Sequence, residues 1–417
     1  MLAQSTFRRC RLSCSTVPIT ATHSPESSRA KFSAVQWKWN GDNRFSSTTA
    51  SPLTPADRIH ILGIGNLGCL YAYALATKPE PPPITLLFHR IKMATDWEKV
   101  GQSIELSIKG KGYVSNSYDS EIIKTPSLDN GGKCLDPPIK NLIVATKAVD
   151  AADALALIRH RLSPSSNILF LQNGIGTPEE VSARNFKDPA TRPNYLAAVT
   201  SHGVFSQGPF RSVFSGRGNV FISKLPAKAA TQSPSNSHSN YLIKQICNTP
   251  LLNATRISPQ KFILHQFEKV VINAVINPLT AILDCRNGKL FDHIEVVVVV
   301  RALITEASNV LLSLPELRSL DLTEEEEEYL LFRFSPESLE RRVQLAACKT
   351  KRNTSSMLQD VRSHRTTEID YINGYIVMNG KDLGIDVTTH EKIMELVNER
   401  KMITVDEILD VFDMKIE

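Results

Sequence analysis

The sequence predicts an α/β domain built on a parallel sheet, followed by an all-α domain. Three observations carry this prediction. From Arg58 to about Thr255, short apolar β-rich runs alternate with helical stretches. From Ser258 onward only helical patterns follow. The first apolar run ends in a glycine cluster that opens a helix. Strands alternating with helices imply a parallel sheet covered on both faces. The expected division is an extension over residues 1–56, an α/β domain over 57–256 and a helical domain over 257–417.

The elements follow in order. "RIHILGIG" is a strand ending in glycines, and "NLGCLYAYALAT" is the helix after it. "PITLLFHR" is the second strand. "IKNLIVATKA" is another, followed by the helix "VDAADALALIRHRL". "SNILFLQNGIG" is a strand ending in a turn. "TPEEVSARN" opens the next helix, with Thr177 as expected N-cap, Pro178 in the first turn and Glu180 completing a capping box. "NYLAAVTSHGVF" and "RGNVFISKL" supply further strands. Two segments read as insertions. Leu225 to Tyr241 is polar and rich in Ser and Asn, so a loop is expected. Ser313 to Val343 carries the acidic run Glu324 to Glu328, which reads as a solvated helix start.

The 417 residues are 42% hydrophobic and 22% charged, an ordinary globular composition with length for two domains. Much of the net charge of +5 comes from the first fifty residues. No basic stripe with interleaved aromatics appears elsewhere, so nucleic acid is not an expected partner. Seven cysteines include no CxxC pair and read as reduced thiols. No His/Cys/Asp cluster suggests a metal. The most apolar run, Ile294 to Ile304, carries Glu295 and Arg301 and is shorter than the roughly 20 residues of a spanning helix, so no membrane span is expected. Residues 1–56 begin Arg-rich, Ser/Thr-rich and nearly free of acids, without an unbroken apolar core. That composition predicts a mitochondrial transit peptide; a disordered tail is the alternative.

Gly63, Gly65 and Gly68 stand in GxGxxG spacing between a strand and a helix, with Ile64, Asn66 and Leu67 among them. In that context the spacing predicts a loop whose backbone N–H groups receive a pyrophosphate. The second strand ends in His89 and Arg90 where an NAD site usually has an acid. Arg90 suits the 2′-phosphate of NADP; a plain surface arginine is the alternative.

The apolar stretch "FEKVVINAVINPLTAIL" is interrupted by Lys269, Asn273 and Asn277, each four residues after the last and so on one helical face. A buried ammonium must be paired, neutralised or near water. A lysine between water and an apolar wall suits a general acid, and the carboxamides suit a small polar ligand. A snorkelling lysine with capping asparagines is the alternative, the more so because Asn277 precedes Pro278. A second stripe, Ser356, Asp360, His364 and Glu368, repeats the spacing of four and reads as one face of another helix. There Glu368 is free to pair with Lys269, and Ser356 with Gln359 reads as a capping box.

Taken together, "LGIGNLG", "VATKA", "LQNGIGTPEEV", "KVVINAVINPLTAILDCRNGKL" and "SSMLQDVRSHRTTEIDYINGY" resemble the ketopantoate reductase (2-dehydropantoate 2-reductase) family. The resemblance implies an α/β Rossmann-type NADP-binding domain followed by an all-α C-terminal domain, with the site between them. It implies NADPH-dependent reduction of 2-dehydropantoate to pantoate in pantothenate and coenzyme A biosynthesis, with Lys269 as proton donor. Gly63, Ile64, Gly65, Asn66, Leu67 and Gly68 would cradle the pyrophosphate, and Arg90 would face the 2′-phosphate. Lys147 and Asn173 would lie at the nicotinamide end, although a solvated strand end and a turn residue are their plainer readings. Asn173, Asn273, Asn277 and Asn287 would contact substrate, and the turn of Asn353, Ser355 and Ser356 would hold its carboxylate. Asn287 before Gly288 also suits a simple turn. Glu368 would lie near the nicotinamide ribose and Lys269. The departures are the long extension, the two insertions, Asn66 in the glycine loop and the proline-rich "KPEPPP". A reductase of another small 2-oxo acid, or a non-catalytic NADPH-binding regulator, stays open. The expected partner is the small-molecule substrate, and a homodimer is left open by the sequence.

Overall fold

Buried apolar strands and an apolar central helix place the site, and each follows from local sequence. The computed structural model describes residues 57–124, 136–226 and 237–416, so the expected transit peptide over 1–56 lies outside the described residues. In chain order the first part runs β1 (Ile59–Leu62), α1 (Asn66–Ala76), β2 (Ile84–Phe88), α2 (Ile91–Lys99), β3 (Ile104–Ile108), β4 (Lys111–Ser115), β5 (Asp119–Ile122), β6 (Asn141–Val144), α3 (Ala148–Ala156), β7 (Asn167–Phe170), α4 (Thr177–Asn185), β8 (Asn194–Thr200), β9 (Gly203–Gly208), β10 (Arg211–Gly216), β11 (Val220–Lys224), α5 (Ser237–Cys247) and β12 (Ala254–Arg256).

Eight strands form one sheet in the order β12-β11-β8-β7-β6-β1-β2-β5. β1, β2, β6 and β7 are buried along their whole length, as strands covered on both faces must be. The expected parallel sheet is mixed at one side: β8 and β11 pair antiparallel. They are joined through the β9–β10 hairpin, without the crossover helix that a parallel pair needs. A second sheet, β4-β3-β10-β9, has no counterpart in the sequence reading. Its strands are short and half exposed, so they leave no continuous apolar run. α1 packs against β3, β9 and β10 as well as β1, so Gly68 through Leu75 are all buried. The polar loop expected over Leu225 to Tyr241 is shorter than predicted, because α5 begins at Ser237.

The second part is helical: α6 (Pro259–Ile282), α7 (Ile294–Ser313), α8 (Pro315–Arg318), α9 (Glu324–Arg333), α10 (Pro336–Lys349), α11 (Ser356–Arg362), α12 (Ile369–Leu383), α13 (Thr388–Asn398) and α14 (Ile408–Val411). α6 contacts α7, α10, α11, α12 and α13, which explains why it is apolar on most sides. α7 is long and apolar enough to cross a membrane by length and composition alone, with a mean hydropathy of 1.7. Here it buries Val299, Val300, Leu303 and Ile304 in the helical core. The acidic run opens α9 through a capping box between Thr323 and Glu326.

α6 runs through Pro278 to Ile282, so Asn277 lies inside the helix and is not a cap. Proline has no N–H, so the carbonyl four residues earlier, that of Ala274, loses its helical donor. Asn373 Nδ2, fully buried on α12, donates to that carbonyl at 2.9 Å. His390 Nδ1 lies 3.1 Å from the same carboxamide nitrogen, and His390 Nε2 is 2.9 Å from Leu303 O. Burial lowers the His390 pKa to about 4, which keeps the ring neutral and able to accept.

Two further caps differ from expectation. The N-cap of α4 is Gly176, in the left-handed region at φ 109°, not Thr177. Glu180 cannot reach back, because its carboxylate is held by Arg184 at 2.9 Å and by the Tyr371 hydroxyl. The N-cap of α11 is Ser355, whose Oγ accepts from Leu358 N at 3.1 Å; Ser356 is the first helical residue. Gln359 donates instead to Thr354 O at 3.0 Å. Nor do Ser356, Asp360, His364 and Glu368 share one helix. α11 ends at Arg362, His364 turns left-handed at φ 52°, and Glu368 is the N-cap of α12.

Candidate active site

The strand ends of β6 and β7 meet the start of α12. Glu368 Oε1 accepts from Ala148 N at 3.0 Å, and Glu368 Oε2 accepts from Asn173 Nδ2 at 2.9 Å. Lys147, the N-cap of α3, donates to Thr366 O at 2.5 Å and pairs with Asp360 Oδ1 at 2.7 Å. Arg365 shares the Asp360 carboxylate at 3.1 Å. Gly174 lets α12 come this close: its φ is +82°, and a Cβ there would meet Tyr371 O at 2.2 Å. Ile175 N in turn donates to Tyr371 O at 2.9 Å. Lys147 is thus neither a solvated strand end nor a free cation.

Lys269 lines a cleft between the ends of β7 and β8 and the first turns of α6. Asn173, Gln172 and Gln266 line it too, with Phe170, Ala197 and Phe262 as apolar walls. Burial lowers the Lys269 pKa from 10.5 to about 8, while the charge of Glu368 acts to raise it. The expected pairing of Lys269 with Glu368 is not a direct bond, since both Glu368 oxygens are taken by Ala148 and Asn173. Burial raises the Glu368 pKa, against the hydrogen bonds from Asn173 and Ala148 and the charge of Lys147.

The other polar candidates gather further along α6. Thr280 Oγ1 lies 2.9 Å from Asn277 O and 2.7 Å from Ser355 Oγ. Asn287 N donates to Asn353 O at 3.1 Å, and Asn287 Nδ2 donates to Thr350 Oγ1 at 2.9 Å. Asn277, Asn287 and Ser355 are buried, Asn273 and Asn353 are half-buried, and Ser356 is exposed. Asn287 Oδ1 is buried without a hydrogen-bond partner among the described residues.

The glycine loop fits a dinucleotide. A Cβ on Gly63 would meet Thr146 N at 2.4 Å, and one on Gly68 would meet Gly63 O at 2.1 Å, so these two permit close packing. Gly65 is different: it is exposed, and a Cβ there would meet nothing within 4 Å. It is the N-cap of α1, with no side-chain cap and no acid in the first turn, which leaves N–H groups for an anion. Ile64 is buried and Leu67 half-buried. Asn66 Oδ1 lies 3.4 Å from Ser212 Oγ, tying the loop to β10. Arg90 is exposed at the end of β2, as the N-cap of α2. Among the described residues, no group of three or more His, Cys, Asp or Glu could hold a metal ion.

Comparison with known proteins places this arrangement. The family model described as Ketopantoate reductase PanE/ApbA matches residues 59–227, and the one described as Ketopantoate reductase PanE/ApbA C terminal matches 261–401. The chain belongs to the ketopantoate reductase family. It is 31% identical over 347 residues to the probable 2-dehydropantoate 2-reductase of Schizosaccharomyces pombe, covering 82% of this chain and 96% of that one. It is also 31% identical over 392 residues to the ketoisovalerate reductase BEA2 of Gibberella fujikuroi, covering 86% and 87%. A solved ternary structure of D-mandelate dehydrogenase with NADH and anilino(oxo)acetate shares the fold, with TM-score 0.61 and 20% identity over 84% of this chain and 99% of that one. As a family member the chain is an oxidoreductase.

Sequence reasoning missed three parts of the site. The spacing alone makes Asp360 one position on a helix face, yet its carboxylate binds Lys147 and Arg365. Gln172 stood in the quoted "LQNG" without a role. The backbone N–H of Ala148 carries no sequence signal at all.

Proposed function

We propose that the chain reduces 2-dehydropantoate to pantoate with NADPH, in pantothenate and coenzyme A biosynthesis. The observation that carries this is Lys269: a half-buried lysine whose pKa is lowered to about 8 and which lines a cleft beside Asn173. A group with that value holds its proton at neutral pH and gives it up readily, as a general acid must. NADPH, when bound, supplies the hydride, and the residues fitted to hold it are the Gly65–Gly68 backbone and Arg90. Lys269 Nζ faces the charge that develops on the ketone oxygen, stabilises it and donates the proton that completes the alcohol. Apolar walls at Phe170 and Phe262 keep bulk water from competing. Asn273, Asn277 and Asn287 are proposed to contact the acid, Asn353, Ser355 and Ser356 to hold its carboxylate, and Glu368 to orient the cofactor end.

A second reading is a reductase of a plain branched 2-oxo acid, favoured by the similarity to a ketoisovalerate reductase. Steady-state reduction of 2-dehydropantoate and of ketoisovalerate, each with NADPH and with NADH, separates the two. A higher kcat/KM for 2-dehydropantoate with NADPH supports the first reading. Higher values for ketoisovalerate would replace it with the second, and faster turnover with NADH would refute the cofactor assignment. We further propose mitochondrial import directed by residues 1–56; a full-length fusion confined to the cytosol would refute that.

A further inference from the structure

Gln172, a residue of the cleft wall, carries an acceptor without a hydrogen-bond partner among the described residues. Gln172 follows β7 and lines the cleft together with Asn173 and Lys269. Its Nε2 donates to Val144 O at 2.9 Å and to Thr146 O at 3.0 Å. Those two bonds commit both N–H groups and fix the amide's orientation, because the flipped amide would set its oxygen against two carbonyls. Oε1 is therefore an acceptor only, and it is buried with no hydrogen-bond partner among the described residues. A buried acceptor left unpaired is costly, and such groups call for a specific explanation.

The Lys269 ammonium, a donor only, lines the same cleft. Phe170, Ala197, Ala198 and Phe262 form apolar walls around them, and Asn173, Thr177 and Gln266 complete the polar lining. One ligand satisfies both groups if it carries an oxygen acceptor for Lys269 and a hydroxyl donor for Gln172. A hydroxylated 2-oxo acid has both groups. A plain branched 2-oxo acid has only the first.

We propose that Gln172 is a specificity-determining residue whose Oε1 accepts the hydroxyl of a hydroxylated 2-oxo acid bound at Lys269. The proposal rests on the reductase reading and names the contact that separates its two candidate substrates. A site built to bond a hydroxyl discriminates strongly against an analogue lacking it, because the buried partner is then left unpaired.

The test uses the full-length protein and two acids that differ only by the hydroxyl: 2-dehydropantoate and trimethylpyruvate. The ratio of their kcat/KM values is measured for the wild type, Gln172→Met and Gln172→Glu, together with each Tm. Gln172→Met removes the acceptor, and the ratio is expected to fall about ten- to hundredfold. Gln172→Glu keeps an acceptor oxygen but loses the donors to Val144 and Thr146. Its Tm is expected to fall while its ratio stays near the wild-type value. A ratio unchanged in Gln172→Met, with Tm lowered in both variants, would mean that Gln172 only joins β6 to β7. A wild type that reduces both acids equally well would overturn the inference and leave the reductase reading intact. A wild type that reduces neither acid would overturn both.

Discussion

Asn173 Nδ2 donates to Glu368 Oε2 at 2.9 Å, joining residues 195 positions apart in the chain. The other oxygen of the same carboxylate is held by Ala148 N. One side chain from the helical part is thereby aimed by two strand ends of the sheet. Hydrogen bonds to a charged group contribute about 1.5–3 kcal/mol each. Glu368→Ala is expected to lower kcat/KM by about ten- to hundredfold, with Asn173→Ala in the same direction. Because the two residues act through one bond, the double variant should lose less than the product of the single losses. Steady-state kinetics on the three variants checks this; fully multiplicative losses would show that the bond plays no part.

The proposed mechanism assigns the pH dependence to Lys269. Burial lowers its pKa from 10.5 to about 8, so the charged form is present below that value and lost above it. As the proposed proton donor, it should give a kcat/KM for reduction that declines as pH rises through about 8. A profile that stays flat up to the ordinary lysine value of 10.5 would remove Lys269 from the proton transfer.

The glycines separate packing from binding. Gly68→Ala would set a Cβ 2.1 Å from the Gly63 carbonyl, so its Tm should fall by several degrees. Gly65→Ala meets nothing within 4 Å, so its Tm should hold while NADPH binding weakens. Differential scanning calorimetry and cofactor titration distinguish the two effects. Equal Tm losses in both variants would mean that Gly65 serves packing as well.

Pro278 and Asn373 form a compensating pair. Asn373→Ala should destabilise the fold by about 1–3 kcal/mol, because it orphans the Ala274 carbonyl. In a Pro278→Ala background an N–H returns at position 278, and the same Asn373→Ala change should then be less costly. Urea denaturation of the four proteins in the cycle checks it. Equal costs in both backgrounds would mean that the carboxamide does not serve the proline.

Much of this architecture was legible in the sequence where burial on both faces writes it directly. β1, β2, β6 and β7 are mainly apolar and wholly buried, and the glycine spacing falls where a strand meets a helix. The stripe of Lys269, Asn273 and Asn277 was visible because α6 is otherwise apolar. The second sheet was not visible, since β4 and β9 are mostly exposed and lack an apolar signal. The cap of α4 was misread because Glu180 serves a tertiary contact with Tyr371 that local spacing does not encode. The second polar stripe was misread as one helix. The left-handed turn at His364 interrupts it, and that turn is what frees Glu368 to face the strand ends.

The most direct test of the account is NADPH oxidation with 2-dehydropantoate by the wild type and by Lys269→Ala, beside NADPH affinity for both. The account predicts ready turnover by the wild type, a loss of at least about a hundredfold in kcat for the variant, and cofactor affinity little changed. Turnover by Lys269→Ala within a few-fold of the wild type would contradict it and leave the lysine a structural feature of α6.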